Sequence, residues 1–511
     1  VPSPFGSEPV AVVIAARTPA DFLRRLARAE RTASIAELRL DSLPSVAAVV
    51  RVLERIARQR PKLTLIATCR PATREAAAGG RFAASPAARL ALLRLAAAAG
   101  CSWVDVEAET LENFPPALRQ AMLCLPRGVR RIISFHDFQR TPTRLDTLYR
   151  RGVSLGLRGD LVKLAVTARC QRDNLAVLQL ARQHRRRVIT LAMGTAGIPS
   201  RVLALRAGSA LTYAALDAGP GQLPLSHLRD LYRAHRLDAR TQVYGVIGQP
   251  ITHSLSPIMQ NAAFRATRLN AVYLPFEVRN LSDFLACLRP LGIAGFSVTL
   301  PHKQAILRHL DGCDPLAESI GAVNTVVVRG RQRLYGYNTD YVGVLRTLAR
   351  YAALEAAQVL LVGAGGAARA VAFALATAGA FVTITSRRLS QARALAQAVG
   401  GEAIARSQVR RREFEAIVNC TPLGMHPHTK VSPLSLSELN ARIVFDLVYN
   451  PRQTRLLCLA RQRGAIAVPG WQMLVEQGAA QFELWTGLRA PIALMRRALL
   501  RALVAPQAAC T

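Results

Sequence analysis

Asp160-Leu161-Val162-Lys163-Leu164-Ala165 is a strand-length apolar run with one lysine inside it, and it decides how the first half of this 511-residue chain is read. It is the sixth of eight such runs, at residues 9–16, 35–41, 63–69, 103–107, 131–136, 161–166, 187–193 and 208–214. They recur at the spacing of strand–helix units. Between them lie alanine- and leucine-rich stretches with arginines at helical spacing, such as 89–99 and 175–182. Eight strands with intervening helices predict an α/β chain that opens with a (β/α)8 barrel. In that architecture strand interiors pack a core and reactive groups sit at the C-terminal strand ends.

The lysine is conspicuous because the chain has four lysines among 67 basic residues. Lys62 and Lys430 lie in plain polar surroundings, whereas Lys163 and Lys303 sit inside ordered motifs. Arginine replaces lysine as a solvated charge, but it forms no Schiff base and holds its proton near neutral pH. A buried lysine is costly without a purpose. Desolvation and cationic neighbours are expected to lower its pKa and give the free amine that a carbonyl substrate needs. The alternative is a structural ion pair with an acid such as Asp105.

Other polar residues gather at predicted strand ends. Glu37, Arg39 and Asp41 close the second run, Arg70 follows the third, and Asp105 and Glu107 lie in the fourth. His136 ends the fifth, Arg201 follows the seventh, and the eighth leads to Pro220-Gly221-Gln222. The segments Glu37-x-Arg39-x-Asp41, Ser134-x-His136-Asp137-Phe138-x-x-Thr141-Pro142, Asp160-x-Val162-Lys163-x-Ala165 and Pro220-Gly221-Gln222 together resemble the type I 3-dehydroquinate dehydratases over residues 9–225. The resemblance implies that Lys163 forms an imine with the C3 ketone of 3-dehydroquinate. It implies that His136 removes a C2 proton and later protonates the departing C1 hydroxyl. Arg201 would hold the substrate carboxylate, with Glu37, Arg39, Arg70 and Gln222 on its hydroxyls and the closing loop. Two positions depart from the family pattern: Ala78 stands before Gly79-Gly80 where a histidine-orienting glutamate is usual, with Glu75 nearby, and Ala218 replaces a serine.

The second half opens with a strand ending in hydroxyls, Val243 to Gly248 followed by Gln-Pro-Ile-Thr-His253-Ser254-Leu255-Ser256-Pro257. Serines at a helix start present hydroxyls and backbone N–H groups to a carboxylate. Further segments are Thr299-Leu-Pro-His-Lys303, Gly321-Ala-Val-Asn324 and Gly336-Tyr-Asn-Thr339-Asp340. Val359-Leu-Leu-Val-Gly363-Ala364-Gly365-Gly366-Ala367 then predicts a strand, a glycine turn and a helix start, the pattern that admits a pyrophosphate. The following strand ends in Ser386-Arg387-Arg388, where arginines suit the 2′-phosphate of NADP rather than the free ribose of NAD.

Residues 241–511 resemble the shikimate dehydrogenases, with the remaining family segments at Asn419-Cys-Thr421, Asp446-Leu447-Val-Tyr449 and Gly470 to Gln477. The resemblance implies a catalytic pair, Lys303 and Asp340, that handles the proton on the C3 oxygen while NADPH delivers hydride. Ser254, Ser256, Thr299, Asn324, Thr339, Tyr449 and Gln477 would bind substrate. Gly363, Ala364, Gly365, Gly366, Ala367, Ser386, Arg387, Arg388, Leu447 and Gly470 would hold the cofactor. Ser386 replaces the usual asparagine. The order implied is that of plant-type fusions, in which the first half's product is the second half's substrate. The alternative is a quinate/shikimate dehydrogenase carrying a weak or inactive dehydratase half; retention of Ser256 and Thr339 favours shikimate.

Three domains are expected: a barrel over 1–225, a substrate-binding α/β domain over 241–345 plus 475–511, and a Rossmann domain over 346–474. Residues 225–238 are expected to form one joining helix. The uncharged stretch 370–386 contains Gly379 and reads as helix, turn and strand rather than a membrane span. Nine scattered cysteines without C-x-x-C spacing predict reduced thiols and no metal site. A net charge of +35 invites a nucleic-acid reading, but the arginines are spread throughout and lack interleaved aromatics, so no specific nucleic-acid partner is expected. The opening at Val1 predicts a trimmed start at which a targeting peptide would be invisible. The compartment would be cytoplasm in a bacterium and plastid stroma in a plant or alga. Oligomeric state is left open, a monomer included.

Overall fold

A computed structural model describes residues 3–71, 84–217 and 222–504. Compactness divides the chain into two units, one comprising residues up to 241 with 274–291, the other 242–273 with the residues from 292 on.

All eight expected runs of the first unit are parallel strands: β1 (Val10–Ile14), β2 (Ile35–Arg39), β3 (Thr64–Thr68), β4 (Trp103–Glu107), β5 (Arg130–His136), β6 (Leu161–Thr167), β7 (Val188–Met193) and β8 (Thr212–Ala215). Their order is β7-β6-β5-β4-β3-β2-β1-β8. Between β7 and β8 the ring is completed by single bonds, from Ala210 N–H to the Val188 carbonyl at 2.9 Å and from Thr190 N–H to Ser209 Oγ at 3.2 Å. The helices follow from their sequences. Ser45 caps Val46–Gln59 by accepting from Ala48 N–H, and that helix buries Val49, Val52, Leu53 and Ile56 along one stripe.

Strand periodicity sets the barrel's interior. Ala11, Ile35, Ile66, Trp103, Ile132, Leu161, Ile189 and Leu211 share one buried cluster, with Phe5 closing it against Trp103 at 4.8 Å between ring centroids. Side chains two residues further along a strand lie on the same face. That step carries Ile35 to Glu37, Ile66 to Thr68, Trp103 to Asp105, Ile132 to Ser134, Leu161 to Lys163 and Leu211 to Tyr213. A dry floor is thus followed by a polar layer, and all six of those polar side chains are buried.

The segment 225–238 is not one helix. It is a π-type turn at His227–Leu231 followed by a 3-10 turn at Ala234–Arg236. Arg233 between them has φ 53°, in the left-handed region that a continuous right-handed helix excludes.

After residue 241, β9 (Gln242–Gly248), β10 (Ala271–Glu277), β11 (Ile293–Val298), β12 (Gly312–Cys313), β13 (Thr325–Arg329) and β14 (Arg333–Tyr337) form a mixed sheet in the order β10-β9-β11-β13-β14-β12. A second sheet, all parallel, contains β15 (Gln358–Val362), β16 (Phe381–Thr385), β17 (Glu402–Ala403), β18 (Phe414–Asn419), β19 (Ala441–Asp446) and β20 (Ile466–Pro469). Its order β17-β16-β15-β18-β19-β20 is the doubly wound Rossmann arrangement, whose crevice lies where the order reverses, between β15 and β18. The stretch 370–386 forms helix, turn and strand as expected: Gly366–Thr377, a turn through Gly379 at φ +78°, then β16. Among the described residues no helix is long and apolar enough to cross a membrane.

Candidate active sites

In the barrel's polar layer, Lys163 on β6 is 2% exposed and donates to Asp105 Oδ2 at 2.8 Å and Glu37 Oε1 at 3.3 Å. Its ammonium lies 4.3 Å from the centroid of the Tyr213 ring. Ser134 Oγ donates to the other Asp105 oxygen at 2.6 Å, and Thr68 Oγ1 donates to Glu37 at 2.9 Å. Burial opposes the charge on Lys163, but Asp105 and Glu37 outweigh it, so the amine's pKa is raised. This overturns the expectation of a lowered pKa. Two carboxylates lie in contact with the amine, and the cation Arg70 is the lesser influence. The same attraction acts on Glu37. Burial pushes its carboxyl up, yet Lys163, Arg70 and Arg39 together hold it at about 2.

A pH dependence of stability follows. Glu37 is more acidic in the folded chain than the ordinary 4.5, so its contribution is complete above that value and is lost as pH falls towards about 2. Unfolding followed across this acid range should show a steeper loss in the wild type than in Glu37→Gln.

His136 ends β5 with both ring nitrogens buried and, among the described residues, without a hydrogen-bond partner. Its nearest carboxylate is Glu107, with Oε1 3.9 Å from Nδ1. Burial, then Arg70, Lys163 and Arg39, drive the imidazole well below its usual pKa and keep it neutral, the form a general base requires. Arg70 Nε, Arg201 Nε and the Tyr213 hydroxyl are likewise buried and unpartnered among the described residues. Buried polar atoms are normally paired. His136, Arg70 and Tyr213 lie within electrostatic reach of Lys163, and their unpaired atoms describe a site made for a small polar ligand. Arg39, by contrast, turns its guanidinium onto Asp41 in a bidentate pair at 3.0 and 2.6 Å. Gln222 is exposed. Glu75, Ala78, Gly79, Gly80, Ala218, Pro220 and Gly221 lie outside the described residues.

The second unit brings Lys303 and Asp340 together, with Nζ 2.6 Å from Oδ2. Lys303 lies in the loop after β11. Asp340 is in the first turn of helix Thr339–Leu348, and Asn338 caps that helix by accepting from Asp340 N–H at 3.0 Å. Asn324 Nδ2 donates to the second Asp340 oxygen at 2.9 Å, and Asn324 Oδ1 accepts from Thr339 N–H at 2.7 Å. The Thr339 hydroxyl reaches Gln477 Oε1 at 3.5 Å. Ser256 opens helix Ser256–Ala266, with its N–H on Ser254 Oγ at 3.4 Å.

At the crevice of the parallel sheet, Gly363 has φ +116°, and a side chain there would press on Thr421. Added carbons at Gly365 and Gly366 would meet nothing within 4 Å, so the start of helix Gly366–Thr377 is open to a ligand. At Gly470 a β-carbon would lie 2.4 Å from the Leu447 carbonyl, which ties these two residues together and requires glycine. Ser386 closes the turn after β16 by donating to the Arg388 carbonyl at 2.7 Å, leaving Arg387 and Arg388 exposed.

Residues 10–238 match the type I 3-dehydroquinase family. Residues 246–326 match the shikimate dehydrogenase substrate-binding domain, 347–452 the shikimate/quinate 5-dehydrogenases, and 470–500 the shikimate 5′-dehydrogenase C-terminal domain. The bifunctional 3-dehydroquinate dehydratase/shikimate dehydrogenase of Arabidopsis thaliana, named as chloroplastic, is 37% identical over 487 residues, which cover 90% of this chain and 79% of its own length. The chain belongs to this bifunctional family. An NADP(+) shikimate dehydrogenase of Bacillus cereus strain AH820 is 43% identical over 274 residues, 51% of this chain and 99% of that one. A shikimate dehydrogenase crystallised with NADP+ superimposes with a TM-score of 0.50 at 37% identity, covering 52% of this chain and 97% of that chain.

Both halves of this bifunctional enzyme contain residues that the sequence reading did not single out. In the dehydratase half they are Thr68 and Tyr213, each two residues along the chain from an inward apolar position. In the dehydrogenase half a buried chain supports the substrate side. The Tyr273 hydroxyl lies 2.6 Å from Ser297 Oγ, Ser297 donates to Gln481 Oε1 at 2.9 Å, and Gln481 Nε2 donates to Thr325 Oγ1 at 3.1 Å. Burial raises the Tyr273 phenol, with bonds to Ser297 and Ser256 pulling the other way. Ser297 and Thr325 lie beside motif residues, but no motif marks Tyr273 or Gln481, and the bonds that join them span up to 184 positions.

Proposed function

We propose that Lys163, His136, Lys303 and Asp340 carry two consecutive reactions on one chain: dehydration of 3-dehydroquinate to 3-dehydroshikimate, then NADPH-dependent reduction to shikimate. The observation that carries the first step is Lys163 itself, a buried amine with the unpaired polar atoms of His136, Arg70 and Tyr213 within its electrostatic reach. The resting ammonium is held by Asp105 and Glu37, so attack on the C3 ketone begins with loss of one proton. The amine then adds to C3, and loss of the carbonyl oxygen as water leaves the imine. Neutral His136 takes a C2 proton, and the C–H electron pair moves into the conjugated nitrogen system. The pair returns as the C1–O bond breaks, with His136 giving its proton to the departing hydroxyl. Hydrolysis of the imine releases 3-dehydroshikimate and restores the amine. Arg201 and Arg70 supply positive charge for the substrate carboxylate and hydroxyls, with Glu37, Arg39 and Gln222 completing the pocket.

In the second half, Ser254, Ser256, Thr299, Asn324, Thr339, Tyr449 and Gln477 orient 3-dehydroshikimate. When bound, NADPH supplies the hydride that is added to C3. Lys303, paired with Asp340, supplies the proton to the C3 oxygen. The cofactor would lie over the open start of helix Gly366–Thr377, with Gly363, Ala364, Gly365, Gly366 and Ala367 at its pyrophosphate. Ser386, Arg387 and Arg388 would hold the 2′-phosphate, and Leu447 and Gly470 would border the nicotinamide. Two exposed arginines here predict a cofactor switch. Arg387→Ala/Arg388→Ala should raise the KM for NADPH by about 10- to 100-fold, the worth of one or two charge-assisted bonds, and leave that for NADH nearly unchanged. An equal rise for both cofactors would remove these arginines from the 2′-phosphate site.

The domain limits we propose are 1–225, 241–345 with 475–511, and 346–474. The cluster that packs Val475, Ala479, Phe482, Met495 and Leu499 against Tyr244, Met259 and Phe264 supports the return of the C-terminal helices to the substrate domain. The partners are small molecules, and the compartment follows the source: cytoplasm for a bacterial cell, plastid stroma for a plant or alga. Incubation of the pure protein with 3-dehydroquinate and borohydride tests the first step, since a reduced adduct should form on Lys163.

A further inference from the structure

Among the described residues the base in the dehydratase site has no hydrogen-bond partner fixing its ring: both His136 nitrogens are buried and unbonded. Ala78 stands where the resemblance expects an orienting glutamate, and both it and Glu75 lie outside the described residues. A neutral imidazole presents one nitrogen as base only if the other holds its proton, and a carboxylate on that second nitrogen settles which is which. Asp105 is committed to Lys163 and Ser134, and Glu37 to Lys163 and Thr68. Among the described residues Glu107, at the end of β4, remains, with Oε1 3.9 Å from His136 Nδ1. Catalytic bonds are often this long before substrate arrives and tighten in the complex.

We propose that Glu107 is the positioning residue for His136, accepting the Nδ1 proton in a hydrogen bond so that Nε2 faces C2 of the substrate. The inference rests on the imine mechanism above. As Nε2 takes the C2 proton the ring becomes a cation, and the adjacent carboxylate stabilises it. When Nε2 gives that proton to the departing hydroxyl, the ring returns to neutral with Nδ1–H still on Glu107. The carboxylate thus serves both half-steps without itself taking the proton.

The surroundings of Glu107 set when it carries charge. It lines a small cavity with Cys69, Arg89, Leu90, Leu93 and Phe114. Arg89, on helix Pro86–Ala98, is buried there with its Nε unpartnered among the described residues. Burial raises the Glu107 carboxyl, Arg70 and Arg89 lower it, and Asp105 and Glu109 raise it, leaving it at about 7. Below that value Glu107 is neutral and the support for the imidazolium is lost. Dehydration should therefore fall on the acid side of about 7, while His136, held well below 6.5, is still unprotonated.

The test uses the full chain with Glu107→Gln and Glu107→Asp, measuring dehydration across pH, borohydride trapping of the imine, and reduction of 3-dehydroshikimate. E107Q should lose about 10- to 100-fold in kcat with little change in KM, the scale of a misplaced catalytic group. Its acid limb near 7 should vanish, E107D should recover part of the rate, and trapping and reduction should match the wild type. Wild-type kcat and an unchanged pH profile in E107Q would overturn the assignment. So would loss of trapping in E107Q, which would make Glu107 a structural support of the lysine. If the wild type gives no adduct, the imine mechanism falls first and this inference with it.

Discussion

Lys163→Arg should abolish dehydration of 3-dehydroquinate, by about 10⁴-fold or more, and leave reduction of 3-dehydroshikimate at the wild-type rate. Arginine keeps a positive charge between Asp105 and Glu37, so the two buried carboxylates stay compensated, but it forms no imine. Lys163→Ala should lose as much activity and also destabilise the barrel by about 3–5 kcal/mol, because removing one partner strands buried charge. Denaturant unfolding separates the two variants. K163R pays only the overpacking of a longer side chain against Tyr213, about 1–3 kcal/mol. Adduct formation with borohydride should disappear in both. Residual dehydration in K163R within tenfold of wild type would rule out covalent catalysis at this lysine.

The second large effect is expected in the other half. Lys303→Met should lower the rate of 3-dehydroshikimate reduction by about 10²- to 10⁴-fold, the usual worth of a positioned proton donor. Methionine keeps much of the side-chain stem, and Lys303 is partly exposed, so little stability is at stake. Asp340→Asn is a less clean probe. Asp340 receives donors from Lys303 on one oxygen and Asn324 on the other, and an amide would turn its own NH2 towards one of them. With 3-dehydroquinate as substrate, K303M should accumulate 3-dehydroshikimate, detected by its ultraviolet absorbance, at the wild-type dehydration rate. A wild-type reduction rate in K303M would remove Lys303 from the chemistry.

Much of this was legible in the sequence because strands and glycine turns are local. Eight apolar runs at regular spacing placed all eight barrel strands, and the strand–glycine–helix pattern at 358–377 placed the Rossmann crevice. The candidate site residues were legible where they fall inside ordered motifs, as at Lys163 within β6, His136 at the end of β5 and Lys303 in the loop after β11. Three things were not. The Lys163 pKa runs opposite to expectation because the amine pairs with Asp105, the acid weighed as the alternative, and also with Glu37, which lies 126 positions away and was not weighed as its partner. The joining segment broke at Arg233, where helical composition gave no sign of a left-handed residue. The Tyr273–Ser297–Gln481 chain joins three elements whose sequences carry no shared motif. The excess of arginine over lysine finds no role in either site.

In the proposed scheme one chain passes a metabolite from a lysine imine to a nicotinamide reductase. The most direct measurement is NADPH consumption by the pure protein with 3-dehydroquinate as the only carbon substrate, run beside K163R. Steady oxidation of NADPH is expected in the wild type. None is expected in K163R, with full recovery of K163R when 3-dehydroshikimate is added. A wild-type protein that oxidises NADPH with 3-dehydroshikimate but stays silent with 3-dehydroquinate would contradict the scheme.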